Sequence, residues 1–226
     1  MKSPGLPLFI LLAAVAAAQP APPAVRASGE GVVYAKPDLA KIDIGVVTQA
    51  ATAEAAAAQN AAQLQPVLAK LRNVLGQSTD IRTISYSLNP VYQYPKNGGK
   101  PTIDGYSAAN IVEATVDDLA NVGKAIDVAA GGGANEIRSL QFTVKDDRAY
   151  RTEALRQAVQ QARTNAEAMA GAMGLKLGKL LLLEQSGSQE PRPMPMTMNA
   201  RLAAATPVEA EPIAVRASVT LTIAVE

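Results

Sequence analysis

The chain contains no cysteine, no histidine and no tryptophan. Without thiol or imidazole it has no thiolate nucleophile, no disulfide, no imidazole base and no zinc site of the usual Cys/His kind. The Ser-His-Asp and Cys-His arrangements are excluded with them. An excess of charge of either sign is also missing. The 21 Lys+Arg against 20 Asp+Glu leave a formal net charge of +1, without the basic footprint of a nucleic-acid binder. No GxSxG is present and no Ser has Lys three residues on, which removes two common serine-nucleophile motifs. What the chain does have is an apolar fraction of 48%, the level of a globular protein rather than a disordered one.

Residues 1–18 read as a secretory signal peptide, cut near Ala18. Lys2 is the positive n-region, the run from Leu6 to Ala18 is apolar apart from Pro7, and it ends in Ala16-Ala17-Ala18. About 13 apolar residues fall short of the ~20 that span hydrocarbon. No Cys follows, so lipoprotein processing is excluded. Loss of Lys2 leaves 20 basic against 20 acidic side chains, and nothing beyond it is apolar enough to span a membrane as a helix. The expectation is an exported protein, periplasmic in a Gram-negative cell.

Residues 19–25, QPAPPAV, read as an extended leader. A strand is expected over 25–33, ended by the Gly29-Glu30-Gly31 punctuation, with Lys36-Pro37-Asp38 as a turn. Ala40, Ile42, Ile44 and Val46 alternate with Lys41, Asp43 and Gly45, the period of a half-buried strand. Thr52 can cap the next helix, whose Leu64, Val67, Leu68, Leu71, Val74 and Leu75 have helical spacing up to Gly76. Pro66 inside it predicts a kink.

Strands are expected over 81–88 and 106–116, with an irregular Pro/Gly-rich segment between them and a tip at Lys96-Asn97-Gly98-Gly99. A helix opens at Asp117-Asp118, offers Leu119, Val122, Ile126 and Val128 or Ala129 for burial, and stops at Gly131-Gly132-Gly133. A strand covers 136–144. The longest helix starts at Asp146-Asp147 and runs to about Met173, with Ala154, Ala158, Ala162, Ala166 and Ala170 as a small-residue ridge that permits close approach. Gly174 is its expected cap. Leu180–Leu183 reads as part of a short buried strand, and the last strand presents Val215, Ala217, Val219, Leu221, Ile223 and Val225 on one face.

Strand-helix-strand-strand-helix-strand over residues 38–145 predicts an α+β chain with a ferredoxin-like βαββαβ core. Residues 26–34 and 146–226 add an extra N-terminal strand and a C-terminal long helix plus two strands, as a second layer with a Pro/Met-rich loop at 185–212.

Several segments in this order resemble the SIMPL-domain family of secreted and periplasmic bacterial proteins. They are the Gly29–Gly31 GEG with Lys36-Pro37-Asp38, Asn60, TISYSLNPVY at 83–92, Gly105-Tyr106 with Asn110, and Gly133-Ala134-Asn135 before Phe142. The alanine helix leading to Gly174, Leu177-Gly178 and the terminal ASVTLTIAVE complete the set. The likeness covers residues 26–226. It implies a protein of the periplasmic immunogenic or oxidative-stress defence kind, without established enzymatic activity, and in some members a ring-like homo-oligomer.

The residues agree on the absence of a catalytic set. Asp117-Asp118 and Asp146-Asp147 are adjacent carboxylates, but each pair sits where a helix starts and Asp caps free amides. Gly29-x-Gly31 runs into Val32-Val33 and not into a helix, unlike a dinucleotide loop. Tyr86, Tyr92, Tyr94 and Tyr106 surround one hairpin, where cross-strand packing is the simpler reading than a partner surface. Met194, Met196 and Met198 alternate in a Pro-rich segment. Thioethers are soft ligands suited to Cu(I), and packing against a neighbouring surface is the plainer role. The expected function is a non-enzymatic, homo-oligomeric periplasmic protein with no cofactor and no catalytic residue. The alternative is a small-ligand or Cu(I)-binding module using the methionine segment.

Overall fold

The computed structural model describes residues 22–96, 98–186 and 209–226. It is an α+β arrangement of two antiparallel sheets and three α-helices. The strands are β1 (Ala24–Ala35), β2 (Leu39–Ala50), β3 (Ile81–Gln93), β4 (Thr102–Val116), β5 (Glu136–Thr143), β6 (Leu177–Ser186) and β7 (Ile213–Val225). The helices are α1 (Ala53–Leu75), α2 (Val122–Gly132) and α3 (Arg148–Ala172). Neither the signal-peptide segment nor Met194, Met196 and Met198 falls within the described residues.

The first sheet has the order β3-β4-β2-β5, with antiparallel neighbours throughout. Ala40, Ile42, Ile44 and Val46 of β2 and Val112, Ala114 and Val116 of β4 are buried against Leu64, Val67 and Leu71 of α1 and Val122, Ala125 and Ala129 of α2. The period-2 and helical spacings therefore meet in one core. Thr52 caps α1 by accepting from the Ala55 amide at 3.2 Å.

The helix continues through Pro66, the position of the expected kink. Pro66 is exposed, so the carbonyl one turn earlier that loses its donor faces water instead of the core. The glycine run closes α2 on α1. A Cβ on Gly132 would stand 3.0 Å from the Val67 Cα, while Lys70 and Gln63 of α1 donate to the carbonyls of Gly131 and Gly133.

The second sheet, β1-β7-β6, is built from both ends of the described chain. Here the glycine pair has a different role from the expected strand terminator: β1 runs straight through it. A Cβ on Gly31 would lie 1.9 Å from the Ala154 carbonyl oxygen, and one on Gly29 2.3 Å from that of Ala158. Bare backbone at those positions lets α3 lie directly on the strand. Ala154, Ala158, Ala162, Ala166 and Ala170 are all at most 1% exposed, and they pack with Val219, Leu221, Ile223 and Val225 of β7.

Two further expectations are corrected. The hairpin strands extend to Gln93 and back from Thr102, because β3 is an edge strand and tolerates Pro90 without losing a shared ladder bond. Leu180, Leu181, Leu182 and Leu183 do form a strand, but each is 44–49% exposed, since α3 covers β1 and β7 and leaves β6 largely bare.

The packing predicts opposite signs for two Gly→Ala changes. Gly31→Ala should cost about 3 kcal/mol, the upper end of overpacking effects. Gly171→Ala, whose Cβ would meet nothing within 4 Å, should stabilise α3 by about 0.5–1 kcal/mol. Urea denaturation of the two variants beside the wild type checks both signs.

Candidate functional site

The carboxylates singled out by sequence are occupied locally. Asp118 accepts from the Ala120 amide at 3.1 Å and opens a 3-10 turn, Leu119–Asn121, ahead of α2. Asp117 pairs with Lys145 at 2.8 Å. Asp146 accepts from both the amide and the guanidinium of Arg148, which lowers its pKa to about 2. Asp147 stands at the N-cap position of α3 without a side-chain capping bond and pairs with Arg151 instead. Capping thus holds for one aspartate of each pair. Among the described residues no three or more acidic side chains gather as a metal site would need.

The signature asparagines serve the fold. Asn60, 1% exposed, donates from Nδ2 to the carbonyls of Val46 at 2.8 Å and Ala108 at 3.0 Å, tying α1 to the two central strands. Asn135 imitates a strand residue just before the start of β5: its Nδ2 donates to the Val47 carbonyl at 2.7 Å and its Oδ1 accepts from the Val47 amide at 2.8 Å. Asp38 closes the β1–β2 turn against β5, accepting from the Lys145 amide at 2.8 Å while its own amide donates to the Thr143 carbonyl.

Asn60 Oδ1, Asn110 Oδ1 and Glu136 Oε2 are buried without a hydrogen-bond partner among the described residues. Glu136 stands apart from the two asparagines, because it registers with Gly45, on the face of the sheet opposite Ile44 and Val46, whereas Asn110 registers with Val46. A shallow cleft of about 190 Å³ lies where β2 ends beside the hairpin, lined by Gln49, Ala50, Val91, Asp104, Gly105 and Tyr106. It is smaller than the ~300–1,000 Å³ usual for small-molecule sites.

Apolar surface, in contrast, is abundant. Tyr86, Tyr92 and Tyr94 are 53%, 49% and 73% exposed, so packing within the hairpin leaves about half or more of each residue free; Tyr106 is half-buried. Ile84, Leu88 and Ile103 are exposed on the same hairpin, and Leu180–Leu183 on β6. Periodicity alone cannot reveal this, because an alternating strand has the same pattern whether its face meets a helix or water. No helix among the described residues is long and apolar enough to cross a membrane.

The comparisons with known proteins then decide the family. The pattern of SIMPL, described as a protein of unknown function, matches residues 25–223. The chain belongs to the SIMPL family. It is similar to the 26 kDa periplasmic immunogenic protein of Brucella melitensis, at 33% identity over 198 residues, covering 85% of this chain and 79% of that one. It is also similar to the uncharacterized protein YggE of Escherichia coli K12, at 32% identity over 204 residues, covering 88% and 80%. In this SIMPL chain, Gly29, Gly31, Asp38, Asn60 and Asn135 each meet a packing or hydrogen-bonding demand described above. None of the five lines the cleft beside the hairpin.

The asparagine roles predict a contrast. Asn60→Ala should cost about 1–3 kcal/mol, since its two carbonyl acceptors lose their donor. Asn110→Val should be near neutral or stabilising, since it removes an unpaired buried acceptor. Chemical denaturation midpoints of the two variants test the difference.

Proposed function

We propose that the protein is an exported, non-enzymatic periplasmic protein that acts by assembling with copies of itself, in a structural or stress-defence role. One observation carries this reading: the distinctive polar side chains are committed to the fold, whereas large apolar side chains are left at strand surfaces. Exposed contiguous apolar surface on a folded chain marks interaction sites. Near-zero net charge makes self-association easier than it would be for a highly charged chain. The Brucella relative is by name periplasmic, which supports export, as does the signal-peptide pattern of residues 1–18. The stress-defence part rests on the family resemblance.

The architectural reading that accompanies it is a ferredoxin-like unit over residues 38–145. Its support is the strand order β3-β4-β2-β5 with α1 joining β2 to β3 and α2 joining β4 to β5. The second layer, made by 26–34 and 146–226, places both chain ends in one sheet. A plan of this kind hosts unrelated activities, so function is read from the surface and not from the plan.

Light scattering of the signal-cleaved protein at micromolar concentration is the test. The expected mass is a multiple of the mature chain. A clean monomer overturns the assembly reading.

A further inference from the structure

We propose that β6 pairs antiparallel with β6 of a second copy across a two-fold axis between Leu181 and Leu182, an inference that rests on the self-assembly reading above. The sheet β1-β7-β6 has two edges, and they are treated differently. The β1 edge is covered from α3: the Glu30 amide donates to Gln161 Oε1 at 2.8 Å, and Asn165 Nδ2 donates to the Ser28 carbonyl at 2.8 Å. These side chains occupy polar groups that another strand would need. No side chain among the described residues reaches the outer edge of β6 in this way. Its four leucines are 44–49% exposed. In the other sheet, the β3 edge carries Pro90, which has no amide to offer an added strand.

The sequence of β6 is complementary to itself. Antiparallel pairing about the Leu181/Leu182 midpoint sets Lys179 opposite Glu184 of the partner subunit, Leu180 opposite the partner's Leu183, and Leu181 opposite the partner's Leu182. Two-fold symmetry makes each pair occur twice. A parallel arrangement in register would set Lys179 against Lys179 of the partner subunit.

The faces agree as well. Leu180 and Leu183 register with Ile223 and Leu221, on the α3 side of β7, whereas Glu184 registers with Thr220 on the other side. Lys179, next to Leu180, shares the Glu184 side because the register shifts between Leu180 and Leu182. In a regular strand, residues five apart would lie on opposite faces. The irregularity therefore puts both members of the charge pair on one face and both flanking leucines on the other. Lys179 makes no ion pair among the described residues. Glu184 meets Arg26 of its own chain at 3.3 Å, with both side chains at least half exposed, a pairing worth little by itself.

The test is charge reversal on the signal-cleaved protein, read by light scattering with far-UV circular dichroism as the folding check. Lys179→Glu places Glu opposite Glu twice and is expected to lower the particle mass by half, with the fold intact. The Lys179→Glu/Glu184→Lys double variant restores complementarity and should recover the wild-type mass. An equimolar mixture of the Lys179→Glu and Glu184→Lys single variants should recover it too. If the wild type is oligomeric and Lys179→Glu keeps its mass, the β6 pairing is wrong and self-assembly stands on another surface. If the single and double variants fall together while folded, the Lys179–Glu184 register is overturned. A monomeric wild type overturns the proposal and the assembly reading together.

Discussion

The contact on which this structure depends is the seating of α3 on β1 at Gly29 and Gly31. A helix packed through ordinary side chains would stand well off the strand. Here the Ala154 and Ala158 carbonyl oxygens approach so closely that even a methyl group on the strand would collide with them. The alanine ridge on one side and two missing side chains on the other must occur together. Together they place the N-terminal strand, the longest helix and the C-terminal strand in one layer. Continuous register from Ala24↔Ala224 to Ala35↔Ile213 follows from that layer, and the turn at Asp38 passes it on to the first sheet.

The same economy governs the polar residues. A buried amide is costly unless paired, and Asn60 of α1 pairs its amide group with two strand carbonyls, while the exposed Asn135, just before β5, stands in for a strand residue beside Val47. Family membership is thus legible as a set of structural demands. What remains for interaction with other molecules lies at the strand edges, where one edge is covered by Gln161 and Asn165, one is interrupted by Pro90, and the leucine-rich edge of β6 is left open.

Much of this was legible in residue order. Alternation in β2 and β7, the Thr52 cap and the every-fourth alanine of α3 are local patterns whose physical cause is local. The missed features depend on what lies across space. The glycines of β1 looked like a break because a lone chain cannot show the helix that requires them. The Leu180–Leu183 run looked buried because composition does not tell how far α3 reaches across its sheet. The surface proposed for assembly was hidden for the same reason, since a pattern can mark a face as apolar without showing whether anything covers it.

Helix α3 and strands β1 and β7 form one cooperative unit locked by the glycine–alanine contact. Native-state hydrogen exchange, followed amide by amide in low denaturant, tests it most directly. The most protected amides of α3, β1 and β7 are expected to open together, at the free energy of global unfolding. Independent opening of α3 at a much lower free energy, with β1 and β7 still protected, would contradict it.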